Sequence, residues 1–283
     1  MSIVINHLTF AYTEGGKKLA PTLTDLSFTI EEGSFFGIIG HTGSGKSTLV
    51  KHLNGLLPCE NSAVIIDGHD LSVKAERRLA RQLVGMVFQY PEYQLFADTV
   101  YDDVAFGPRN MKLSDEEVRA HVEHAMQRVG LDVNRFSSRS PFDLSGGERR
   151  RAAIAGVLSM EPKYLVLDEP MAGLDPKGRE DILSLLETLR TEAGCTIIMI
   201  SHSMDDIAAH ATQVLVLDKG TIAMLDTPQN VFAQAERLKS LGLSVPSVTQ
   251  VCIAMHNRGI PIPQTICTEQ AFLRWFGEVS VHA

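Results

Sequence analysis

The sequence predicts an α/β fold with a mainly parallel sheet, on three observations. Apolar strand-length runs at 35–39, 84–88, 164–167, 196–200 and 213–217 alternate with stretches of helical periodicity. The first run leads through a glycine-rich turn directly into a helical pattern at 49–57. At 283 residues and 44% hydrophobic content, the chain can bury a sizeable core, as one large domain or a domain with a small appendage.

Between 113 and 129 the pattern is helical: Ser114 and Glu117 form a capping box, and Val118, Val122, Met126 and Val129 recur at helical spacing. This stretch reads as part of a helical insertion, about 91–160, in the α/β core. A second amphipathic helix is expected after Pro176, with Ile182, Leu185, Leu186 and Leu189 on its buried stripe. At Thr227-Pro228, a cap followed by a proline at the first helical position, the alternation stops and short helical patterns take over. Val231, Ala235 and Leu238 are expected on one face, and Val248, Val251, Cys252 and Met255 on another. A domain boundary is placed near Asp226, separating 1–226 from a small helical domain at 227–283.

A formal net charge of −8 argues against bulk attraction to nucleic acid, which needs lysine and arginine to displace counterions from phosphates. The four cysteines, Cys59, Cys195, Cys252 and Cys267, have neither zinc-site pairing nor the density of a disulfide scaffold, and read as reduced. The N-terminal stretch lacks a basic segment, apolar run and cleavage site, so a cytosolic location is expected. No run approaches the roughly 18 to 20 apolar residues that cross a bilayer, so any membrane role must come through a partner.

Gly40-His41-Thr42-Gly43-Ser44-Gly45-Lys46-Ser47, followed by Thr48, matches the phosphate-binding pattern G-x-x-x-x-G-K-[ST] between a strand and a helix. Glycines let backbone N–H groups and the helix N-terminus point at phosphate oxygens, Lys46 supplies a cation, and the Ser47 hydroxyl suits Mg²⁺. A dinucleotide fingerprint fits less well, because it needs no Lys-Ser and carries an acidic residue for the ribose. The run ending in Asp168-Glu169 delivers two adjacent carboxylates to a strand end, the first suited to hold Mg²⁺ and the second to polarise the attacking water. Alone, such a pair is a solvated strand end; beside a phosphate loop it reads as catalytic.

Leu144-Ser145-Gly146-Gly147-Glu148-Arg149-Arg150 resembles the signature of ABC ATPases. The resemblance implies a P-loop NTPase core with a helical subdomain, binding ATP and Mg²⁺ and working as a dimer. It implies that Ser145, Gly146 and Gly147 clamp the γ-phosphate bound to the opposite subunit, using anion binding at a helix N-terminus. Ser145 reads equally as a helix cap, since capping needs the same geometry. Gln89, closing the run at 84–88, resembles the family's glutamine that senses γ-phosphate and Mg²⁺. His202 resembles the switch histidine that orients water and Glu169, and Ala172-Gly173-Leu174-Asp175 the loop that crosses the dimer interface. Tyr12, in Phe10-Ala11-Tyr12, resembles the aromatic that stacks on adenine.

This resemblance covers roughly 3–225 and makes 1–226 the nucleotide-binding domain. The stretch 88–96, followed by 103–108, is closer still to the ATPases of energy-coupling factor transporters, importers of vitamins and of cobalt or nickel. Gly40-His41-Thr42-Gly43 and the stretch 167–173 resemble the second of their two paired ATPases, and the short helical C-terminal region suits that subfamily. Met171 departs from the threonine of many relatives, and Glu148-Arg149-Arg150 from a commoner glutamine-containing stretch; neither removes a phosphate ligand.

The implied partners are a second ABC ATPase, as heterodimer or homodimer, a membrane-embedded coupling protein docking near Gln89–Phe96, and a separate substrate-binding membrane subunit. The implied location is peripheral, on the cytoplasmic face of the cell membrane. The ATPase of another ABC importer class is one rival reading, and a soluble ABC ATPase of DNA repair or translation is the other. Against it, there is one cassette and no long coiled-coil insertion between Lys46 and Ser145. A simple phosphate-loop kinase or GTPase does not explain the signature stretch or His202.

Overall fold

A computed structural model describes residues 1–281. Strands β1 (Ser2–Phe10), β2 (Thr13–Glu14), β3 (Lys17–Lys18), β4 (Leu23–Glu31) and β5 (Phe35–Ile39) precede helix α1 (Lys46–Leu53). Next come β6 (Val64–Ile66), β7 (His69–Asp70), α2 (Lys74–Leu83) and β8 (Val84–Val87). Four helices, α3 (Val100–Asn110), α4 (Asp115–Arg128), α5 (Val133–Phe136) and α6 (Gly146–Leu158), separate β8 from β9 (Tyr164–Asp168). Then follow α7 (Pro176–Ala193), β10 (Thr196–Ile200), α8 (Met204–His210), β11 (Gln213–Asp218) and β12 (Thr221–Asp226). Helices α9 (Pro228–Phe232), α10 (Ala235–Ser240), α11 (Ser247–His256) and α12 (Glu269–Val281) close the chain.

The chain forms two compact units, the first built mainly from 50–198 and the second from 4–30, 34–49 and 199 onward. In the first, β8 runs parallel to β9 with Val84 opposite Tyr164 and Val87 opposite Leu167, and β10 follows β9 in the sheet. Every residue of β8, and Tyr164 through Leu167 of β9, is buried, which explains the continuous apolar runs of a parallel sheet covered on both faces. A Cβ on Gly85 would lie 2.6 Å from Val157 Cγ1 and 2.9 Å from Pro162 Cγ, so glycine lets the strand press against that neighbour. The start of β9 is tethered: the Tyr164 hydroxyl donates to Asp67 Oδ1 at 2.6 Å and the Lys163 ammonium to Asp67 Oδ2 at 2.6 Å.

Helix α4 carries the predicted capping box, its Glu117 N–H donating to the Ser114 hydroxyl and its Glu117 carboxylate accepting from the Ser114 N–H. Helix α7 begins at Asp175, whose side chain accepts from the Gly178 N–H, and ends at Gly194 in the left-handed region. It buries Ile182, Leu186 and Leu189, while Leu185 is only half-buried.

In the second unit β11 lies parallel to β5, Gln213 opposite Phe36 and Val216 opposite Ile39, and antiparallel to β12. The β11–β12 turn is the two-residue Lys219-Gly220, at φ of 46° and 79°, the geometry of a tight hairpin. Thr227 caps α9 as its sequence suggests, accepting from the Asn230 N–H. The helical pattern beyond is broken, however, by Gln234 at φ −91° and ψ 49°, so Val231 and Leu238 lie on separate helices. On α11, Cys252 is buried with Ile262 and Ile266 against Val248, Met255, Phe272 and Trp275. Val251 is instead 49% exposed, so of the expected face Val248, Cys252 and Met255 pack together and Val251 falls outside it.

Candidate functional site

The phosphate loop is built in the second unit. Fully buried β5 delivers the chain to Gly40, where a Cβ would sit 2.4 Å from the Leu217 carbonyl oxygen and 2.6 Å from Ser44 Oγ. Gly43 and Gly45 take φ of 82° and 104°, open to glycine at no steric cost. A Cβ on Gly45 would also meet Leu23 Cδ2 at 2.7 Å, and one on Gly220 the Thr22 carbonyl at 2.3 Å. The loop therefore rests on the Lys219-Gly220 turn, whose Gly220 N–H donates to the Ser44 carbonyl at 3.0 Å.

Lys46 is 7% exposed and its ammonium donates to the carbonyls of Gly40 at 2.6 Å and His41 at 3.0 Å, curling the loop around its own cation. The His41 ring lies between the Asp218 carboxylate, 3.0 Å from Nε2, and the Thr42 carbonyl, 2.7 Å from Nδ1. Ser44 is fully buried, Thr48 is buried, and Ser47 at the start of α1 is exposed. The Tyr12 hydroxyl is 3.2 Å from Thr48 Oγ1, its ring edge-on to Phe10 and partly exposed. His202 is exposed in the short turn between β10 and α8.

The carboxylates belong to the first unit. Because Val87 pairs with Leu167, Gln89 and Asp168-Glu169 leave neighbouring parallel strands at the same end. Gln89 is exposed; Asp168 and Glu169 are half-buried. Glu169 adopts φ of 53°, a left-handed conformation costly for a residue with a Cβ, which turns the chain sharply as it leaves the strand. The turn is tied by the Ala172 N–H donating to the Glu169 carbonyl at 3.1 Å.

In the same unit Ser145 is the N-cap of α6, accepting from the Glu148 N–H at 3.3 Å while Glu148 accepts from the Ser145 N–H at 2.9 Å. That backbone bond, with the Ser145 hydroxyl, holds the Glu148 carboxyl below its ordinary range. Gly146 and Gly147 are the first residues of the helix rather than of a loop, and a Cβ on either would find nothing within 4 Å. Bare N–H groups at a positive helix end make a place for an anion.

Between β8 and α3, Tyr90 turns at φ of 56° into a short helical turn, Pro91–Gln94. Tyr93 is 84% and Phe96 62% exposed, and Phe96 packs edge-on to Phe106. Phe96 and Phe106 border a cleft of about 570 Å³ that also takes in Arg81, Asp103 and Met160. Asp103 is 9% exposed and accepts from the N–H of Ala97 at 2.9 Å and of Phe96 at 3.3 Å. Burial nonetheless raises its carboxyl above the ordinary range.

Tyr12, Gly40, His41, Lys46 and Thr48 are thus brought together in one unit, and Gln89, Asp168 and Glu169 to one strand edge in the other. Asp218 goes unnoticed in the sequence, and Asp103 and Arg150 stand there only as members of longer stretches, with no role of their own. Burial marks Asp103, and partners far along the chain mark Asp218 and Arg150, which no local spacing announces. Among the described residues there is no helix long and apolar enough to cross a membrane.

Residues 23–172 match the family model described as ABC transporter. The chain is 47% identical to the energy-coupling factor transporter ATP-binding protein EcfA2 of Caldanaerobacter subterraneus subsp. tengcongensis, over 95% of this chain and 94% of the relative. It is 49% identical to the EcfA2 protein of Symbiobacterium thermophilum, over 95% and 93%. Among solved structures it resembles cbiO1 of Clostridium perfringens, part of the ABC transporter complex cbiONQ, with a TM-score of 0.74, 35% identity, and 90% of this chain and 98% of that one covered. The cassette MJ0796, as a dimer bound to ADP and Pi, gives a TM-score of 0.70 at 28% identity, covering 80% and 98%.

Proposed function

Since the chain belongs to the ABC transporter family, and within it to the ATP-binding proteins of energy-coupling factor transporters, we propose that its ATP hydrolysis drives import through a partner in the membrane. The observation that carries this reading is the N-terminus of α6, where Gly146 and Gly147 offer N–H groups with open space beside them, next to the capping hydroxyl of Ser145. That end suits a γ-phosphate held by a second subunit, and so a dimer that ATP closes and hydrolysis reopens.

In this reading the backbone of 40–48 and Lys46 hold the phosphates, and Tyr12 stacks on adenine. Ser47, Gln89 and Asp168 hold Mg²⁺; a hydroxyl, an amide and a carboxylate form the all-oxygen donor set that a hard cation takes. Bound there, the ion neutralises phosphate charge. Glu169 accepts hydrogen bonding from the attacking water and polarises it, while His202 faces the γ-phosphate and orients both. The second subunit is a related ATPase, in keeping with the EcfA2 name of the relatives. The stretch 89–96, with exposed Tyr93 and Phe96, receives a coupling protein, and a separate membrane subunit binds the cargo. The chain then sits peripherally on the cytoplasmic face of the membrane, with 227–283 as an appended domain.

The test is to tag the full chain, extract native membranes in mild detergent and identify what co-purifies. A second ABC ATPase with a polytopic membrane protein is the expected result; recovery as a homodimer would replace the heterodimer. A soluble pool bound only to nucleic acid or ribosomes would overturn the transport role.

A further inference from the structure

Arg150 lies on α6, five residues beyond the Ser145 cap, and is 3% exposed. Its Nε and Nη2 donate to the two carboxylate oxygens of Glu92 at 3.1 and 3.2 Å. Its Nη1 donates to the carbonyls of Pro170 at 3.2 Å and Ala172 at 2.8 Å, and its guanidinium lies 6.0 Å from the Tyr90 ring centroid. One planar group therefore joins three segments: the turn at 90–94, the helix headed by Ser145-Gly146-Gly147, and the stretch that leaves Glu169 toward Asp175.

We propose that Arg150 is a positioning residue that carries displacement of the docking segment, through Glu92, to the signature helix and to the turn after Glu169. The inference rests on the proposed roles of these segments in partner docking, phosphate contact in trans and water activation. Stability alone is a poor account of the arrangement, because a buried ion pair is often matched or bettered by apolar side chains of similar volume. A guanidinium fork brings something apolar groups lack: a fixed plane that sets the angle between carboxylate and carbonyls. Lysine, a point charge on a flexible stem, cannot hold both. Burial removes water as a substitute partner, so a shift of Glu92 must be followed by Arg150 or leave a buried cation unpaired.

The test uses the full-length chain with Glu92→Gln, Glu92→Ala, Arg150→Lys and Arg150→Met, and the double variant Glu92→Ala/Arg150→Met. Hydrogen exchange over 170–175 is read first, since it needs neither hydrolysis nor a partner. Faster exchange there in Glu92→Gln, whose altered side chain bonds Arg150 and not that stretch, is the expected result; unchanged exchange overturns the link. Hydrolysis is read second: kcat is expected to fall about tenfold in Glu92→Ala and Arg150→Lys at unchanged ATP affinity, and the double variant to do no worse than Arg150→Met. Single effects that multiply, or ATP affinity falling with kcat, would reduce Arg150 to two unrelated contacts or a general fold support. Absence of hydrolysis in the unsubstituted protein would count against the ATPase reading, while the exchange result would still decide the link. Glu92→Gln, close in shape to the native residue, keeps the test readable should the alanine variant not fold.

Discussion

His41 of the phosphate loop meets Asp218, imidazole Nε2 to carboxylate Oδ1 at 3.0 Å, with the Thr42 carbonyl on the other ring nitrogen. Both neighbouring oxygens accept, so a neutral ring donates to only one of them at a time. Asp218 comes from the end of β11, and the contact ties the loop to that strand. Asp218→Ala is expected to weaken ATP binding by about 1 kcal/mol, roughly fivefold, by loosening the loop. Asp218→Asn, which keeps an acceptor, should lose less. Calorimetric titration of ATP into both variants checks this, and equal affinity in wild type and both variants would contradict it.

Tyr12 combines a tethered hydroxyl with a partly exposed ring. If the ring is what ATP uses, Tyr12→Phe keeps most of the affinity and Tyr12→Ala loses about 1 to 3 kcal/mol, the value of one stacked base. An equal loss in both variants would shift the role to the hydroxyl.

Gly147 separates stability from activity. Nothing lies near a Cβ built there, and glycine is a poor helix former, so Gly147→Ala should leave the melting temperature unchanged or raise it. Gly147→Glu should likewise fold yet abolish hydrolysis, since a carboxylate would cover the N–H groups offered to phosphate. Retained hydrolysis in Gly147→Glu would remove the helix end from the reaction.

Asp103 sets a pH dependence of known sign. Burial raises its carboxyl in the folded state, so between the ordinary and the raised pKa the folded chain binds more protons than the unfolded one. Its cost to stability is absent below the ordinary carboxylate range and complete once pH has passed the raised value. Asp103→Asn, which keeps an acceptor for the Ala97 N–H, should therefore gain melting temperature over wild type at pH 7 and lose that advantage at about pH 3.5. Thermal melts at both pH values check it; an advantage that grows with acid would contradict it.

Much of this was legible in the sequence because it is local. The strands at 35–39, 84–87 and 164–168, the capping box at Ser114 and Glu117, and the cap at Thr227 all depend on residues a few positions apart. Helix α3 is not legible in this way, since Pro108 inside it and polar Asp102-Asp103 at its start blur the periodicity. Strands β1 and β4 escape the sequence pattern because their burial alternates irregularly, and Val251 falls outside the packed face of α11, which Val248, Cys252 and Met255 share with segments near 262–275. Within the candidate site, Lys46, Asp168 and Ser145 announce themselves by motif. Arg150 does not, because its partners lie 58 positions upstream at Glu92 and 20 downstream at Pro170.

Glu169 holds the central claim, and its most direct test is single-turnover hydrolysis by Glu169→Gln beside ATP binding by the same protein. Hydrolysis slowed roughly 10² to 10⁴-fold, about 3 to 5 kcal/mol of barrier, with ATP affinity retained, is the predicted result. Hydrolysis at the wild-type rate would contradict the assignment of Glu169 as the group that activates water.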